Sequence, residues 1–307
     1  MTPARALTAD ALGRALLGST AVARDLTEAD AALRRPVSTS RRVAVVGVGG
    51  GSGTTTVTGL VAGLLARRRG RGVLAVDAAR GDGGLAAVLG VGDPLPLHRS
   101  LGRTAGVVTA AAAREALPQA VSGASVLGAG SARGDDGVTP PAWRAAVDPV
   151  GRFFDVVLTD WGVRGAGRDG GHRDLADAVD AHHAVLLVAR ADRPHVEAAL
   201  GLLADLAPHL PAGAGTGLVL VDIGGTAGPT DDLARRALGA LDLPVAVHTV
   251  PHDDVLGRGA WATPARADRA RVRRRDAVGA GRAPLALPTR RAVASLAAGA
   301  LELAVRA

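Results

Sequence analysis

The chain is 307 residues long and 48% hydrophobic but only 2% aromatic, enough for one large or two small domains with a core of Ala, Val and Leu. It has no Cys, which excludes a disulfide framework and a thiolate metal site, and no apolar run approaches the roughly 18–20 residues of a membrane span. The net charge of +7 is carried entirely by Arg, with no Lys anywhere, and acidic residues are interspersed among the Arg clusters, a solvated face more than a DNA or acidic-membrane footprint.

The N-terminal "MTPARALTADALGRALL" has no signal-peptide core, because Asp10 and Arg14 interrupt it, so a cytoplasmic protein is expected. Residues 1–40 read as an N-terminal helical arm and linker. "ARALTADALGRALL" and "TEADAALRR" are short helices, and "PVSTS" is a polar link. The arm either packs on the main body, residues 41–307, or binds a partner.

In that body, short continuous apolar runs end at small or acidic residues and are followed by helical segments. The runs are "VAVVGV" (43–48), "VLAVD" (73–77), "VVLTD" (156–160), "VLLVA" (185–189), "LVLVD" (218–222) and "VAVHTV" (245–250). Strands that are apolar throughout are buried on both faces. Strands separated by helices imply right-handed crossovers. The expected class is α/β, a three-layer α/β/α arrangement around a mainly parallel sheet.

The first helix after a strand is well marked. Val57, Leu60, Val61, Leu64 and Leu65 form one apolar stripe, and Arg67 to Arg69 followed by Gly70 close it. "GDPLPLHRS" (92–100) and "GAGSARGDDGVTPP" (128–141) read as loop-rich, a stretch near 102–121 reads as a helix without a clear signal, and "WGVRGAGRDGGHRD" (161–174) is Gly-rich and follows an acidic strand end. His182 and His183 read as loop residues, and none of the eight His falls in a metal spacing. Asp231 and Asp232 read as a helix N-cap. The last segment, 289–307, reads as a terminal packing helix in preference to one lying on a membrane.

Ligands of open parallel sheets bind beyond the carboxyl ends of the strands, and three features converge there. "GVGGGSGTTT" (47–56) follows the first run. Its Gly49, Gly50, Gly51 and Gly53 allow unusual dihedrals and close backbone approach, while its amides and the next helix's N-terminus form an anion cup. Ser52 and Thr54 lie within it, and Thr55 or Thr56 offers a hydroxyl to Mg²⁺. Asp77 and Asp160 each end a strand. Two carboxylates facing one such loop suit a Mg-phosphate site, one positioning water and the other holding the metal shell.

With these residues in place the chain resembles the MinD/ParA family of P-loop ATPases, whose deviant Walker A loop reads K-G-G-x-G-K-T-T. "GGGSGTTT" (49–56) fills the same frame, with Gly50, Gly51, Gly53, Thr55 and Thr56 matching. "VLAVDA" resembles the segment holding the water-positioning aspartate (Asp77). Ala79 stands at that segment's second acidic position. "RFFDVVLTDWG" resembles the Walker B strand (Asp160). "LPVAVHTVPHDD" resembles a later strand that touches the base near Pro251. Asp222 falls where relatives place a base-reading amide; here it either reads the base or caps a loop. The flavour is that of actinobacterial MinD-like proteins, some of which accompany type VII secretion genes.

The resemblance implies a P-loop NTPase-like fold, ATP and Mg²⁺ as cofactors with Thr55 and Asp160 at the metal, and a homodimer or hetero-association with a related ATPase. It also implies a protein apparatus as partner and peripheral association with a membrane. Two departures stand against activity. The signature lysine that reaches a partner's phosphates falls on Gly49, and the usual P-loop lysine on Thr54. A nucleotide-binding protein with weak or absent hydrolysis is therefore expected. One alternative is an active ATPase in which an Arg such as Arg80 or Arg164 substitutes. Another is an NAD(P)-binding Rossmann oxidoreductase with Asp77 on the ribose, although Ser52 breaks its G-x-G-x-x-G pattern.

Overall fold

The computed structural model describes residues 20–70, 72–79, 84–128, 138–163, 171–210, 213–225, 228–240, 244–258 and 284–307. The elements are α1 (20–34), β1 (Arg41–Gly47), α2 (Thr54–Arg69), β2 (Val73–Asp77), α3 (Gly84–Leu89), α4 (Leu97–Thr104) and α5 (Ala110–Ala116). There follow β3 (Ser125–Leu127), α6 (Pro140–Gly151), β4 (Val156–Val163), α7 (Gly171–Asp180), β5 (Ala184–Arg190) and α8 (Arg193–Leu206). Last come β6 (Gly215–Val221), α9 (Gly228–Ala240), β7 (Val245–Val250), α10 (Asp254–Gly257) and the C-terminal α11 (Leu287–Arg306).

The strands form one parallel sheet in the order β3-β2-β4-β1-β5-β6-β7. Its strands are apolar throughout because both faces are covered. One core holds Trp143, Ala178, Val196 and Ala234 from α6 to α9; the other holds Leu33, Val57, Leu85 and Leu296 from α1, α2, α3 and α11. The three layers expected from the run pattern are therefore present. Each fully buried Val or Leu in these layers contributes about 1.5–3 kcal/mol of transfer free energy.

The helix after the glycine loop starts at a left-handed Gly53 (φ 87°) and ends at Gly70. Val57, Leu60, Val61 and Leu65 are buried as expected, but so are Gly59, Ala62, Gly63 and Ala66. The helix is covered on more than one side because α1 and α11 also lie against it. Arg68 Nε meets Asp30 Oδ1 at 3.0 Å, and Arg69 Nη1 donates to the Leu33 and Arg35 carbonyls at 3.0 and 2.7 Å. An Arg291–Asp25 ion pair joins α11 to α1. The described part of the N-terminal arm thus packs on the body. "ARALTADALGRALL" lies outside the described residues.

Two readings are corrected, and one strand lies outside the expected runs: β3, within "GASVLG". "GDPLPLHRS" contains the start of α4. Asp231 is not an N-cap, since α9 begins at Gly228. Its carboxylate instead accepts the Thr249 hydroxyl at 2.6 and 2.7 Å, tying α9 to β7.

Candidate phosphate-binding site

The chain builds β2, β3 and β4 on one side of β1, then crosses to build β5, β6 and β7 on the other. β1 is therefore flanked by β4 and β5, at the point where the direction of winding reverses, and the loop leaving its carboxyl end occupies the crevice such a reversal opens. The loop needs its glycines. Gly51 and Gly53 have φ of 70° and 87°, the left-handed region that a side chain disfavours. A Cβ on Gly47 would lie 2.4 Å from Thr54 Oγ1 and 2.8 Å from Ser52 Oγ. These two hydroxyls are buried beneath the loop, 2.9 Å apart. Thr54 thus turns inward and bonds within the loop.

The outer surface of the loop is open. A Cβ at Gly50 or Gly51 would meet nothing within 4 Å. The N–H groups of Gly50, Gly51, Gly53, Thr54, Thr55 and Thr56 donate to no protein acceptor among the described residues. Together with the unpaired amides at the start of α2, they form an electropositive concavity, and none of residues 49–56 carries a charged side chain.

Asp77 and Asp160 face each other in register across β2 and β4, and both are buried. Their surroundings differ. Asp77 Oδ1 accepts the Ala79 amide at 3.2 Å and Oδ2 the Leu85 amide at 3.1 Å, so it caps the turn into α3. Burial nevertheless leaves its pKa raised, with those two amides pulling it down. Asp160 Oδ1 accepts the Gly162 amide at 2.9 Å, whereas Oδ2 is buried with no hydrogen-bond partner among the described residues. Burial pushes Asp160 up to about 6, the Thr55 hydroxyl opposes this, the Asp77 charge adds to it, and the Gly162 amide opposes it. A buried carboxylate oxygen left without a partner beside a threonine hydroxyl fits a hard divalent cation.

Beside the loop lies a cavity of about 310 Å³. Gly51, Gly53, Thr56, Val57 and Leu60 form one wall; Val221, Asp222 and Ile223 form another; Val250 to Asp253, Leu256 and Gly257 close it. Mostly apolar walls with few polar groups suit a flat heteroaromatic ring. The structure brings Asp222 and Pro251 together here. Asp222 Oδ1 accepts the Gly225 amide at 2.7 Å, so it caps its loop while lining the cavity. Arg80 and Arg164 lie outside the described residues.

One residue that motif reading missed is His195, in the first turn of α8. A Cβ on Gly49 would sit 3.2 Å from both its Cδ2 and its Nε2. Its Nδ1 lies 2.6 Å from Asp192 Oδ1. The available signal was an Asp directly after an apolar run, capping a helix with His three residues on.

No family model matches the chain, and no curated protein matches its sequence. Its fold is similar to that of the cell division ATPase MinD from Pyrococcus furiosus, at 25% identity over 86% of this chain and 99% of that one, with a TM-score of 0.57. The septum site-determining protein MinD from Pyrococcus horikoshii, in complex with Mg-ADP, is similar at 22% identity over 84% and 94% (TM-score 0.55). A ParA family ATPase from Chlorobium tepidum TLS is similar at 15% identity over 71% and 87% (TM-score 0.57). The chain has a MinD/ParA-like P-loop NTPase fold, and these likenesses do not favour the oxidoreductase alternative.

Proposed function

We propose that this chain is a MinD/ParA-like nucleotide-binding protein that hydrolyses ATP weakly or not at all, acting as a scaffold or regulator of a positioning, secretion or partition system. The observation that carries this reading is the open amide cup of Gly50 to Thr56 at the tips of strands bearing Asp77 and Asp160. The cup takes the phosphates, and the Asp222–Pro251 cavity takes the base. Thr55 and Asp160 would hold Mg²⁺, which would supply charge neutralisation at the phosphates.

The weakness follows from charge. Neither Gly49 nor Thr54 carries a cation, and Thr54 is turned beneath the loop. A charge-assisted hydrogen bond contributes about 1.5–3 kcal/mol, so losing one weakens binding by roughly 10- to 100-fold. Hydrolysis suffers more, because a preorganised donor is worth about 10²–10³ in rate and a trans cation about 10³–10⁵. A homodimer built on a lysine crossing to the partner's phosphates loses that contact at Gly49, which leaves room for association with a competent relative.

Calorimetric titration with Mg-ADP and Mg-ATP, alongside a phosphate-release assay, tests this. Binding is expected with turnover at background, and Thr54→Lys is expected to tighten Mg-ADP binding about 10-fold or more. Wild-type turnover comparable to ordinary ATPases of the family would overturn the weak-hydrolysis reading. Absence of binding at millimolar nucleotide would overturn the nucleotide site itself.

A further inference from the structure

The imidazole of His195 lies over Gly49, the position at which relatives place their signature lysine, and the missing side chain makes room for it. A Cβ there would stand 3.2 Å from the ring's Cδ2–Nε2 edge, closer than ordinary packing. The ring is held rather than merely near. Asp192, the N-cap of α8, accepts the His195 amide at 3.1 Å through Oδ1 and meets Nδ1 with the same oxygen at 2.6 Å. Arg190, the last residue of β5, meets the other carboxylate oxygen at 3.4 Å. Burial tends to raise the Asp192 carboxyl, but the bonds from the His195 ring and amide outweigh it and hold the pKa low. Asp192 is thus an anion that fixes the ring and keeps the proton on Nδ1. Nε2 has no hydrogen-bond partner among the described residues, and the side chain is 27% exposed.

We propose that His195, oriented by Asp192, is a phosphate-binding residue of this site, supplying through its imidazolium the cation that Gly49 and Thr54 lack. The inference rests on the nucleotide-binding reading and adds to it a coupling to protons. With Nδ1–H committed to Asp192, a neutral ring turns a lone pair on Nε2 toward the loop, which repels phosphate. Protonation from solvent converts Nε2 into a charged donor, so phosphate binding is coupled to proton uptake. The other charged groups around the ring do not replace it. Arg190 is engaged with Asp192; Arg193 and Glu197 pair with each other at 2.7 Å at the surface; Asp77 and Asp160 are anionic or neutral. The glycine loop itself carries no titratable side chain.

The test is Mg-ADP titration of the full chain at pH 6 and pH 8, in buffers of contrasting ionisation enthalpy, for wild type, His195→Gln and Asp192→Asn. Asn is as good an N-cap as Asp, so α8 is preserved in the second variant. At pH 6, His195→Gln is expected to weaken binding about 10-fold, with a much smaller effect at pH 8 and loss of the buffer-dependent heat of proton uptake. Asp192→Asn is expected to lower the proton uptake without lowering the melting temperature. ADP's own phosphate titration is common to all three proteins and cancels. Equal affinity of wild type and His195→Gln at pH 6, with ADP bound, would overturn the role of His195 and leave the nucleotide site standing. No ADP binding by wild type at either pH would overturn both.

Discussion

Asp77 and Asp160 occupy matching positions on neighbouring strands, yet their bonds give them different duties. Each Asp77 oxygen accepts a backbone amide, so Asp77→Asn leaves at least one of those amides unpaired, a loss of about 1–2 kcal/mol that opposes the relief of burying the charge. Asp160 keeps one buried oxygen without a partner, and its pKa is raised to about 6 by burial. A raised carboxyl pKa stabilises the folded state fully below the unfolded value near 3.8, and that contribution is lost as pH rises through 6. Asp160→Asn is therefore expected to be more stable than wild type at pH 8, by something of order 3 kcal/mol, and to lose that advantage by pH 4. Urea unfolding at pH 8, 6 and 4 measures it; a gap that stays constant with pH would refute the buried, strained carboxylate. The same variant is expected to lose the Mg²⁺ dependence of ADP binding. Both aspartates were legible in the sequence because each ends an apolar run. His195 was not, since it reaches the loop from a helix almost 150 residues away in the chain, and only the packing of β5 beside β1 brings it there.

At the scale of elements, six strands were visible as continuous apolar runs, and the reason is their burial on both faces. β3 escaped because a strand of three residues carries no periodicity. β1 starts at Arg41, ahead of its apolar run, because pairing with β4 extends there from Val156. β4 runs past Asp160 to Val163, with a register shift against β1 between Val45 and Val46. The C-terminal segment was legible as a packing helix, and α11 buries Val293, Leu296, Ala297, Ala300, Leu301 and Ala304. What the pattern did not disclose is how it is seated. A Cβ on Gly215 of β6 would lie 2.6 Å from Leu303 Cβ and 2.8 Å from its carbonyl oxygen, so the helix backbone rests on a bare strand. Gly217 instead meets the Leu186 Cδ2 at 2.8 Å, the end of a side chain that can move. Gly215→Ala is expected to cost about 1–3 kcal/mol and Gly217→Ala less. Equal melting temperatures for the two variants would show that α11 is not seated through Gly215.

Across the whole molecule, the layered architecture was legible because every strand is followed by a helix, whereas the strand order was not, because no residue pattern states which strands pair. That order puts His182, a residue that reads as a loop histidine, at the centre of the face opposite α2. It stands between α7 and β5 and is buried, 4.8 Å from the Trp143 ring and 6.0 Å from that of Trp161. Its Nδ1 donates to the Ala178 carbonyl at 2.8 Å, so Nε2 accepts the Thr159 hydroxyl at 3.2 Å, whose oxygen accepts Trp143 Nε1–H at 3.2 Å. The chain of bonds links α6, β4 and α7 and is satisfied only by the neutral ring. Burial accordingly lowers the His182 pKa to about 3. A depressed pKa means that stability is present above the unfolded value near 6.5 and is lost as pH falls toward 3, because the unfolded chain takes up the proton first. This slope runs opposite to that of Asp160, so between about pH 4 and 6 the two contributions largely offset each other, and neither changes further above pH 6.5. His182→Gln, which keeps a donor and an acceptor but does not titrate, is expected to be about 1–3 kcal/mol less stable than wild type at pH 7. That deficit is expected to shrink steadily toward pH 4 as the wild type alone weakens. Denaturant unfolding followed by Trp fluorescence across pH 4 to 8 decides the matter, and a deficit that does not change with pH would mean that His182 is not held neutral in the fold.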